Sequence, residues 1–194
     1  GFELEGSTMS LQGFGNVGSN LAGIASRMGV STVAVGDHTG YLHNPEGFNA
    51  HKLQDWVQAK GSIQGYPGGK AITREEFFKV KADIFAPCAL ENQVGESEGK
   101  SLDCKVIVEG ANGPTNPAGE RILLEKGVDI LPDVLCNSGG VTVSYYEWVQ
   151  NKRSESWTEE EVDAKLEKAM TRAYREVADF ARQHKVDRRI AAYA

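Results

Sequence analysis

The chain has 194 residues and a net charge of −6, from 21 Lys+Arg against 27 Asp+Glu, and 40% of its residues are hydrophobic. This composition excludes a disordered or collagen-like chain, and the length favours one large domain with a buried core. The acidic balance argues against a nucleic-acid partner, because such a partner needs a basic face to neutralise its phosphates.

The predicted elements alternate between short apolar runs and helical patterns. In chain order they are a strand over 7–12, a helix over 16–28, a strand over 32–35, helices over 50–59 and 74–79, strands over 84–86 and 105–108, a helix over 117–126 and a strand over 128–131. A further helix is predicted over 141–151. The capping box from Thr158 to Glu161 then starts a long helix. Its apolar stripe, from Val162 to Phe180, is expected to pack in the core or between domains, with a coiled coil as the alternative. The alternation predicts one domain over 1–194, a doubly wound, Rossmann-type α/β fold with a mostly parallel sheet and helices on both faces.

The cysteines and the N-terminus bear on location. Cys88, Cys104 and Cys136 are an odd number without a C-x-x-C pair, and the four histidines form no metal-binding motif. We therefore expect reduced thiols in a cytoplasmic protein, with no disulfide and no metal site. No segment is apolar enough to suggest a membrane span. The opening Gly-Phe-Glu-Leu-Glu lacks both a signal peptide and an initiator Met, so we expect the chain to be a piece of a longer protein.

A glycine motif, G-F-G-N-V-G at positions 13–18, follows the first predicted strand and opens the first predicted helix. This is the context in which G-x-G-x-x-G binds a dinucleotide. Gly13 permits the tight turn, Gly15 lets the backbone approach a pyrophosphate, and Gly18 lets helix and strand pack closely. The N–H groups at the helix start then bind the anion. The predicted cofactor-binding residues of the motif are Gly13, Gly15, Asn16, Val17 and Gly18.

Asp37 ends the next predicted strand, 24 positions after Gly13, where it would accept hydrogen bonds from the adenosine ribose. A carboxylate about 4 Å from a 2′-phosphate costs roughly 1 to 4 kcal/mol per unit charge at effective dielectric constants of 80 to 20. The neighbouring residues supply no Arg or Lys to offset this repulsion. His38 is placed in the site; it either softens the repulsion when protonated or is simply solvated. NAD is therefore the predicted cofactor, with NADP as the alternative.

Three further stretches are not required by a dinucleotide fold in general. They read A-P-C-A-L-E-N at 86–92, E-G-A-N-G-P-T at 109–115 and N-S-G-G-V-T-V-S-Y-Y-E-W-V-Q-N at 137–151. Together with the glycine motif, they resemble the C-terminal cofactor domain of glutamate dehydrogenases, in the Glu/Leu/Phe/Val dehydrogenase superfamily. The resemblance covers essentially the whole chain, and the last stretch is its most specific part.

The resemblance implies roles for further residues. Ala86, Cys88 and Ala89 would line the adenosine and ribose side of the cleft. Asn112 would contact the nicotinamide ribose or carboxamide, and Asn137 the nicotinamide or the amino-acid end of the substrate. Gly139 would allow close approach, while Val141 and Ser144 would line the substrate pocket, with Ser144 bonding the side-chain carboxylate of glutamate.

Plainer interpretations of the same residues stay open. Asn112 and Asn137 stand shortly before glycines and could be turn residues with positive φ. Ser144 could be an ordinary helix residue. Cys88 and Cys136 are expected to be small buried hydrophobic residues instead of catalytic thiols. Tyr145, Tyr146 and Trp148 are expected to serve packing.

The resemblance also implies what this chain lacks. In the family, the lysines and the aspartate that bind substrate and move protons lie in a preceding domain, so no catalytic residue is predicted here. The parent protein is expected to be an NAD-dependent glutamate dehydrogenase, a homohexamer that interconverts glutamate and 2-oxoglutarate. This chain alone is expected to be a monomer or weak dimer that binds nucleotide without turnover. The alternatives are the cofactor domain of a leucine, phenylalanine or valine dehydrogenase, and a non-catalytic nucleotide-sensing module.

Overall fold

Seven strands follow the apolar runs of the sequence, in a computed structural model that describes residues 2–194. They are β1 (Thr8–Gln12), β2 (Ser31–Asp37), β3 (Gly40–His43), β4 (Lys70–Ile72), β5 (Ile84–Pro87), β6 (Val106–Val108) and β7 (Asp129–Leu131). The helices are α1 (Asn16–Arg27), α2 (Ala50–Lys60), α3 (Arg74–Phe78), α4 (Glu96–Ser101), α5 (Pro117–Glu125), α6 (Asp133–Cys136), α7 (Ser138–Arg153), α8 (Glu159–His184) and α9 (Arg188–Tyr193). Within these residues, no helix combines the length and the hydropathy of a membrane span.

The strands form one sheet in the order β4-β3-β2-β1-β5-β6-β7. β1 pairs in parallel with β2 on one side and with β5 on the other, and β5 pairs in parallel with β6. β3 and β4 extend the sheet as antiparallel strands beyond β2. The order of the chain reverses beside β1, and the carboxyl ends of strands at such a switch point are where α/β sheets bind ligands. The predicted α/β class, with a mostly parallel sheet and a long C-terminal helix, is confirmed.

α1 packs on the sheet through its small residues. Ala22 and Ala25 are buried, whereas Val17, Ile24 and Met28 are each about half exposed. The predicted helix is confirmed, and its buried face consists mainly of small residues. The reason is steric, because a helix that lies close against strands accommodates only small side chains at the contact.

Both faces of β1 are buried. Met9 and Leu11 lie in the apolar cluster that includes Ala22, Ala25 and Leu53, whereas Ser10 and Gln12 are buried polar residues at the alternate positions. A second group of aromatic rings forms around Phe77, whose centroid lies 5.1 Å from Tyr41, 5.3 Å from Phe78 and 6.3 Å from Phe85. Burial on both faces holds the carboxyl end of β1 in place.

The chain divides into two compact units, the first ending at Asp129 and the second covering Ile130–Ala194. In the second unit, α8 begins at the predicted capping box, where the Thr158 hydroxyl accepts a hydrogen bond from the Glu161 N–H. The Ser138 hydroxyl donates to the Leu135 carbonyl at 2.8 Å and lies 3.6 Å from the sulfur of Met170 on α8. The apolar positions of α8 from Val162 to Val177 are half-buried instead of forming a closed core, Phe180 is exposed, and no residue of α7 or α8 is fully buried.

The expectation that Tyr145 and Trp148 serve packing is wrong within this chain. Both side chains are more than half exposed, although their rings stack with centroids 5.9 Å apart. Tyr146 is half-buried, and its ring lies edge-on to that of Trp157 at 6.0 Å. α7 therefore carries one ring that packs and two that meet solvent.

Candidate functional site

A cleft of about 570 Å³ opens at the carboxyl ends of β1, β2 and β5. Residues from all three strand ends and from the loop after α2 contribute to it. The lining residues are Gln12, Gly13, Phe14, Gly15, Asp37, His38, Tyr41, Val57, Gly61, Cys88, Ala89, Leu90 and Gln93. The structure thus brings together six residues that the sequence predicted for cofactor binding: Gly13, Gly15, Asp37, His38, Cys88 and Ala89.

Gly13 and Gly18 are required by the fold of the loop itself. Gly13 has φ +97°, and a Cβ there would lie 2.7 Å from the carbonyl carbon of Cys88. A Cβ on Gly18 would lie 1.9 Å from the carbonyl oxygen of Gly13. Neither position can hold a side chain without moving backbone, because real Cβ atoms do not approach so closely.

Gly15 is different, since a Cβ built on it meets no atom within 4 Å. Its φ of −80° and ψ of −158° are extended backbone that other residues adopt as well. The fold alone therefore does not require a glycine at this position. The open space beside Gly15 belongs to the cleft, where a ligand could approach the backbone.

The N-terminus of α1 faces this cleft without a cap of its own. Gly15 is the N-cap residue, no side chain caps the helix, and its first turn has no acidic residue. The first intrahelical bond runs from the Ser19 N–H to the Gly15 carbonyl at 2.9 Å, which leaves the preceding N–H groups without an intrahelical acceptor. These donors and the positive end of the helix dipole are suited to binding an anion.

Asp37 ends β2 at the far side of the cleft, and its two oxygens have different surroundings. Oδ1 accepts from the Thr39 N–H at 2.7 Å, the Thr39 hydroxyl at 2.6 Å and the Gly40 N–H at 3.2 Å. Among residues 2–194, none hydrogen-bonds Oδ2. Asp37 is half-buried and His38 is exposed.

Cys88 directly follows β5 and lines the cleft. Burial raises the pKa of its thiol to about 11, although the Gly110 N–H favours the thiolate. The thiol is therefore protonated at neutral pH and is no nucleophile, which agrees with its interpretation as a small apolar residue. Ala86, two residues earlier, is fully buried in β5 and does not line the cleft.

Several lining residues were missed by the sequence analysis, and Gln12 is the most informative of them. It is 3% exposed, and its side-chain oxygen Oε1 is buried without a hydrogen-bond partner. A polar residue at the end of a predicted buried strand, directly before the glycine motif, was a signal that could have identified it. Tyr41 lies on β3, Val57 on α2 and Gln93 in the loop after β5, and no local pattern marked them. Leu90 lies in the same loop, within the stretch over 86–92, but was not predicted as a binding residue.

The residues present fit a dinucleotide. The uncapped N-terminus of α1 offers donors to a pyrophosphate, the open side of Gly15 gives room for it, and Oδ2 of Asp37 remains as an acceptor for ribose hydroxyls. The lining combines apolar walls with a few polar groups, as small-molecule sites do.

The family model for Glutamate/Leucine/Phenylalanine/Valine dehydrogenase matches residues 1–194, the whole chain. The chain belongs to this family. It is 41% identical over 194 residues to a glutamate dehydrogenase of Thermotoga maritima, covering 100% of this chain and 47% of that protein. It is 39% identical over 193 residues to a cryptic catabolic NAD-specific glutamate dehydrogenase of Bacillus subtilis, covering 45% of that protein. The chain thus spans about half the length of these relatives.

Solved structures agree with this membership of the Glu/Leu/Phe/Val dehydrogenase family. A hetero-hexameric glutamate dehydrogenase from Thermus thermophilus superimposes with a TM-score of 0.93 at 32% identity, over 99% of this chain and 45% of that one. An L-tryptophan dehydrogenase from Nostoc punctiforme shares the fold, with a TM-score of 0.69 at 23% identity, over 97% of this chain and 51% of that one. The resemblance to the cofactor domain of glutamate dehydrogenases is confirmed.

The remaining predicted residues lie outside the cleft lining. Asn112 is exposed in the loop after β6, and Asn137 is half-buried at the junction of α6 and α7 with φ −95°. Neither has positive φ; among residues 2–194, the non-glycine residues that do are Asn92, Ser154 and Lys185. The alternative that these asparagines serve as left-handed turn residues is therefore wrong, and their predicted roles in this family stay predictions.

The predicted substrate residues all lie on α7 in the second unit. Val141 and Ser144 are exposed and, three positions apart, share one face of the helix. The Ser144 hydroxyl donates to the Gly140 carbonyl at 3.2 Å. A Cβ built on Gly139 would lie 3.7 Å from Cδ1 of Leu166 and 3.8 Å from Sδ of Met170 on α8. These are ordinary contact distances, so a side chain would fit there. Ser144 and Val141 are thus available to a ligand, which their predicted role requires.

Proposed function

We propose that this chain binds NAD(H) in the cleft at the carboxyl ends of β1, β2 and β5. The observation that carries the proposal concerns Gly15. Packing within the fold does not require a glycine at this position, whereas a pyrophosphate bound in the cleft would need the space that a side chain would fill. The free N–H groups at the start of α1 would bind the pyrophosphate, and Oδ2 of Asp37 would accept hydrogen bonds from the hydroxyls of the adenosine ribose. The relatives described as NAD-specific support the choice of cofactor.

We further propose that the whole protein is a glutamate dehydrogenase. The bound nicotinamide supplies the acceptor for a hydride from the Cα atom of glutamate. In this chain, Asn112 and Asn137 orient the nicotinamide end. Val141 and Ser144 bind the substrate side chain, with the Ser144 hydroxyl on its carboxylate. An apolar residue in place of Ser144 would favour a branched-chain or aromatic amino acid instead.

The chain by itself is proposed to bind cofactor without turnover. None of the residues within 2–194 that line the cleft is a lysine, and the chain spans about half the length of its relatives. The general acid-base group and the substrate clamp are therefore assigned to another part of the protein. We expect no glutamate-dependent formation of NADH by this chain, and a measurable rate in an absorbance assay at 340 nm would contradict the assignment.

The proposed assembly follows a solved relative, and the proposed location rests on the cysteines. The Thermus thermophilus structure is hexameric, and we propose a hexamer for the whole protein and a monomer or weak dimer for this chain. Its three cysteines are free, which supports a cytoplasmic location.

A Gly15→Ala variant tests the proposed binding mode. The added methyl group meets no protein atom, so we expect the variant to fold as the wild type does. It occupies the space of the pyrophosphate, and we expect NADH affinity to fall by roughly tenfold or more, as for a lost near-optimal contact of about 1.4 kcal/mol. NADH fluorescence titration measures the affinity, and urea unfolding measures the stability.

The control for this experiment is Gly23→Ala. Gly23 lies on the same helix, α1, where a Cβ meets only the end of the Arg27 side chain at 4.0 Å. We expect this variant to bind NADH as the wild type does. If Gly15→Ala also binds NADH with unchanged affinity, the cofactor does not approach this loop and the proposed site is wrong.

A further inference from the structure

A chain of hydrogen bonds leads to Asp37 from the loop after α2. The Gln64 N–H donates to the Ser62 hydroxyl at 2.9 Å, and the Ser62 hydroxyl donates to Oγ1 of Thr39 at 2.8 Å. The Thr39 hydroxyl then donates to Oδ1 of Asp37 at 2.6 Å. The chain joins two segments that are 23 residues apart in sequence, the turn after β2 and the loop after α2.

The two ends of this chain determine the direction of every proton in it. The backbone N–H of Gln64 can only donate, and the ionised carboxylate of Asp37 can only accept. Since the single hydroxyl proton of Thr39 goes to Asp37, the Thr39 oxygen can only accept from Ser62, so the Ser62 proton goes to Thr39 and the Ser62 oxygen accepts from the Gln64 N–H. Hydrogen bonds that point in one direction polarise and strengthen one another.

The result is a carboxylate with one oxygen saturated and one available. The Thr39 hydroxyl, the Thr39 N–H and the Gly40 N–H all bind Oδ1, which fixes the orientation of the side chain. Oδ2 keeps no partner among residues 2–194 and is left as the acceptor at the cleft. Of the three bonds on Oδ1, only the one from the Thr39 hydroxyl depends on a side chain.

We infer that Thr39 and Ser62 are positioning residues that set the choice between NAD and NADP by holding the Asp37 carboxylate in this orientation. The inference rests on the proposed binding of NAD(H). A carboxylate that is held still cannot turn away from a 2′-phosphate, so the repulsion of NADPH is retained in full. A carboxylate free to rotate would relieve that repulsion and would also bind the ribose hydroxyls of NADH less well.

The loop that carries Ser62 is itself part of the cleft. α2 is followed by its C-cap residue Gly61, whose φ of +70° is left-handed, and Ser62 comes next in the chain. Val57 of α2 and Gly61 both line the cleft. The end of α2 and the start of this loop therefore contribute to the site, and the loop also supports Asp37 through Ser62.

The test is the ratio of the dissociation constants for NADPH and NADH, measured by fluorescence titration of both cofactors at the same ionic strength. Thr39→Val removes the hydroxyl and keeps the shape of the side chain; we expect the ratio to fall about three- to tenfold, from a partial loss of a bond to a charged group. Ser62→Ala is expected to lower it by about twofold or more, because it acts through Thr39. Thr39→Ser keeps the hydroxyl and is expected to keep the ratio.

Thr73→Val is the matched control. Thr73 caps α3 through its hydroxyl and does not line the cleft. Removing that hydroxyl lowers the stability of the fold without affecting Asp37, so we expect the ratio to stay unchanged. A change that weakens both cofactors equally would indicate a merely structural role and would overturn the inference, as would an unchanged ratio in both Thr39→Val and Ser62→Ala. If the wild-type chain binds neither cofactor, or does not prefer NADH, the proposed function fails first and this inference fails with it.

Discussion

Gly13, Gly15 and Gly18 occupy one loop, and the surroundings of each give it a different constraint. At Gly13 both φ and the approach of Cys88 exclude a side chain, while at Gly18 the carbonyl of Gly13 excludes it. Only Gly15 faces open space. The motif in the sequence therefore combines two positions at which the fold needs glycine with a third, Gly15, at which we propose that ligand binding needs it.

The free energy of unfolding of Gly18→Ala should show whether the fold requires glycine at this position. The Cβ would overlap the Gly13 carbonyl oxygen, so we expect the free energy of unfolding to fall by about 1–3 kcal/mol, as for overpacked sites in general. Gly23→Ala on the same helix should be neutral or stabilising by up to about 1 kcal/mol, since alanine is the better helix former. Urea unfolding followed by circular dichroism measures both, and equal stabilities would show that the loop relaxes at no cost.

At the scale of the elements, Asp83 connects three strands at their amino-terminal ends, whereas the cleft lies at the carboxyl ends. It directly precedes β5; its Oδ2 accepts from the N–H and the hydroxyl of Thr8 on β1, and its Oδ1 lies 2.7 Å from Nζ of Lys105 next to β6. These contacts, with the Lys105 hydrogen bond the largest, lower the pKa of Asp83 from 3.8 to about 2. The native fold therefore favours the ionised carboxylate.

The lowered pKa predicts how stability depends on pH. A group whose pKa is lower in the folded state stabilises the fold above its unfolded pKa, and the stabilisation is lost as pH falls through the folded pKa. We expect Asp83 to contribute about 2 kcal/mol at pH 5 or above, declining between about pH 4 and pH 2. Unfolding in urea across this range measures the effect, and Asp83→Asn should lack that part of the pH dependence. An equally steep decline in the variant would assign it to other carboxylates.

The sequence predicted the elements that carry a strong hydrophobic period and missed those that do not. β1, β2, β5 and α1 have apolar runs or helical spacing, and their positions were predicted correctly. β3 and β4 were missed, because residues such as His43 and Lys70 at the antiparallel edge give no apolar run. α4 was missed as well, since its residues, Glu96–Ser101, are polar and small.

The candidate site also contains residues that the sequence could predict and residues that it could not. The glycine motif and Asp37 were predictable because their spacing follows from one strand, one turn and one helix. Thr39 and Ser62 were not predictable, because a bond between a turn and a loop distant in sequence leaves no local pattern. The orientation of Asp37 is thus a property of the tertiary structure, and the identity of the residue alone does not show it.

At the scale of the whole molecule, membership of the family extends over all 194 residues, and the chain spans about half the length of its relatives. The cleft of the first unit is formed by residues within that unit alone, from Gln12 to Gln93. Cofactor binding is therefore the one activity that this chain can be expected to retain by itself.

The most direct test of this account is a fluorescence titration of the wild-type chain and Asp37→Ser with NADH and NADPH at the same salt concentration. We expect the wild type to bind NADH more tightly, and Asp37→Ser to lose that preference, because the variant removes both the ribose acceptor and the charge that repels a 2′-phosphate. Equal or tighter binding of NADPH by the wild type would contradict the role of Asp37. Binding of neither cofactor would contradict the proposal that this cleft holds a dinucleotide in the chain by itself.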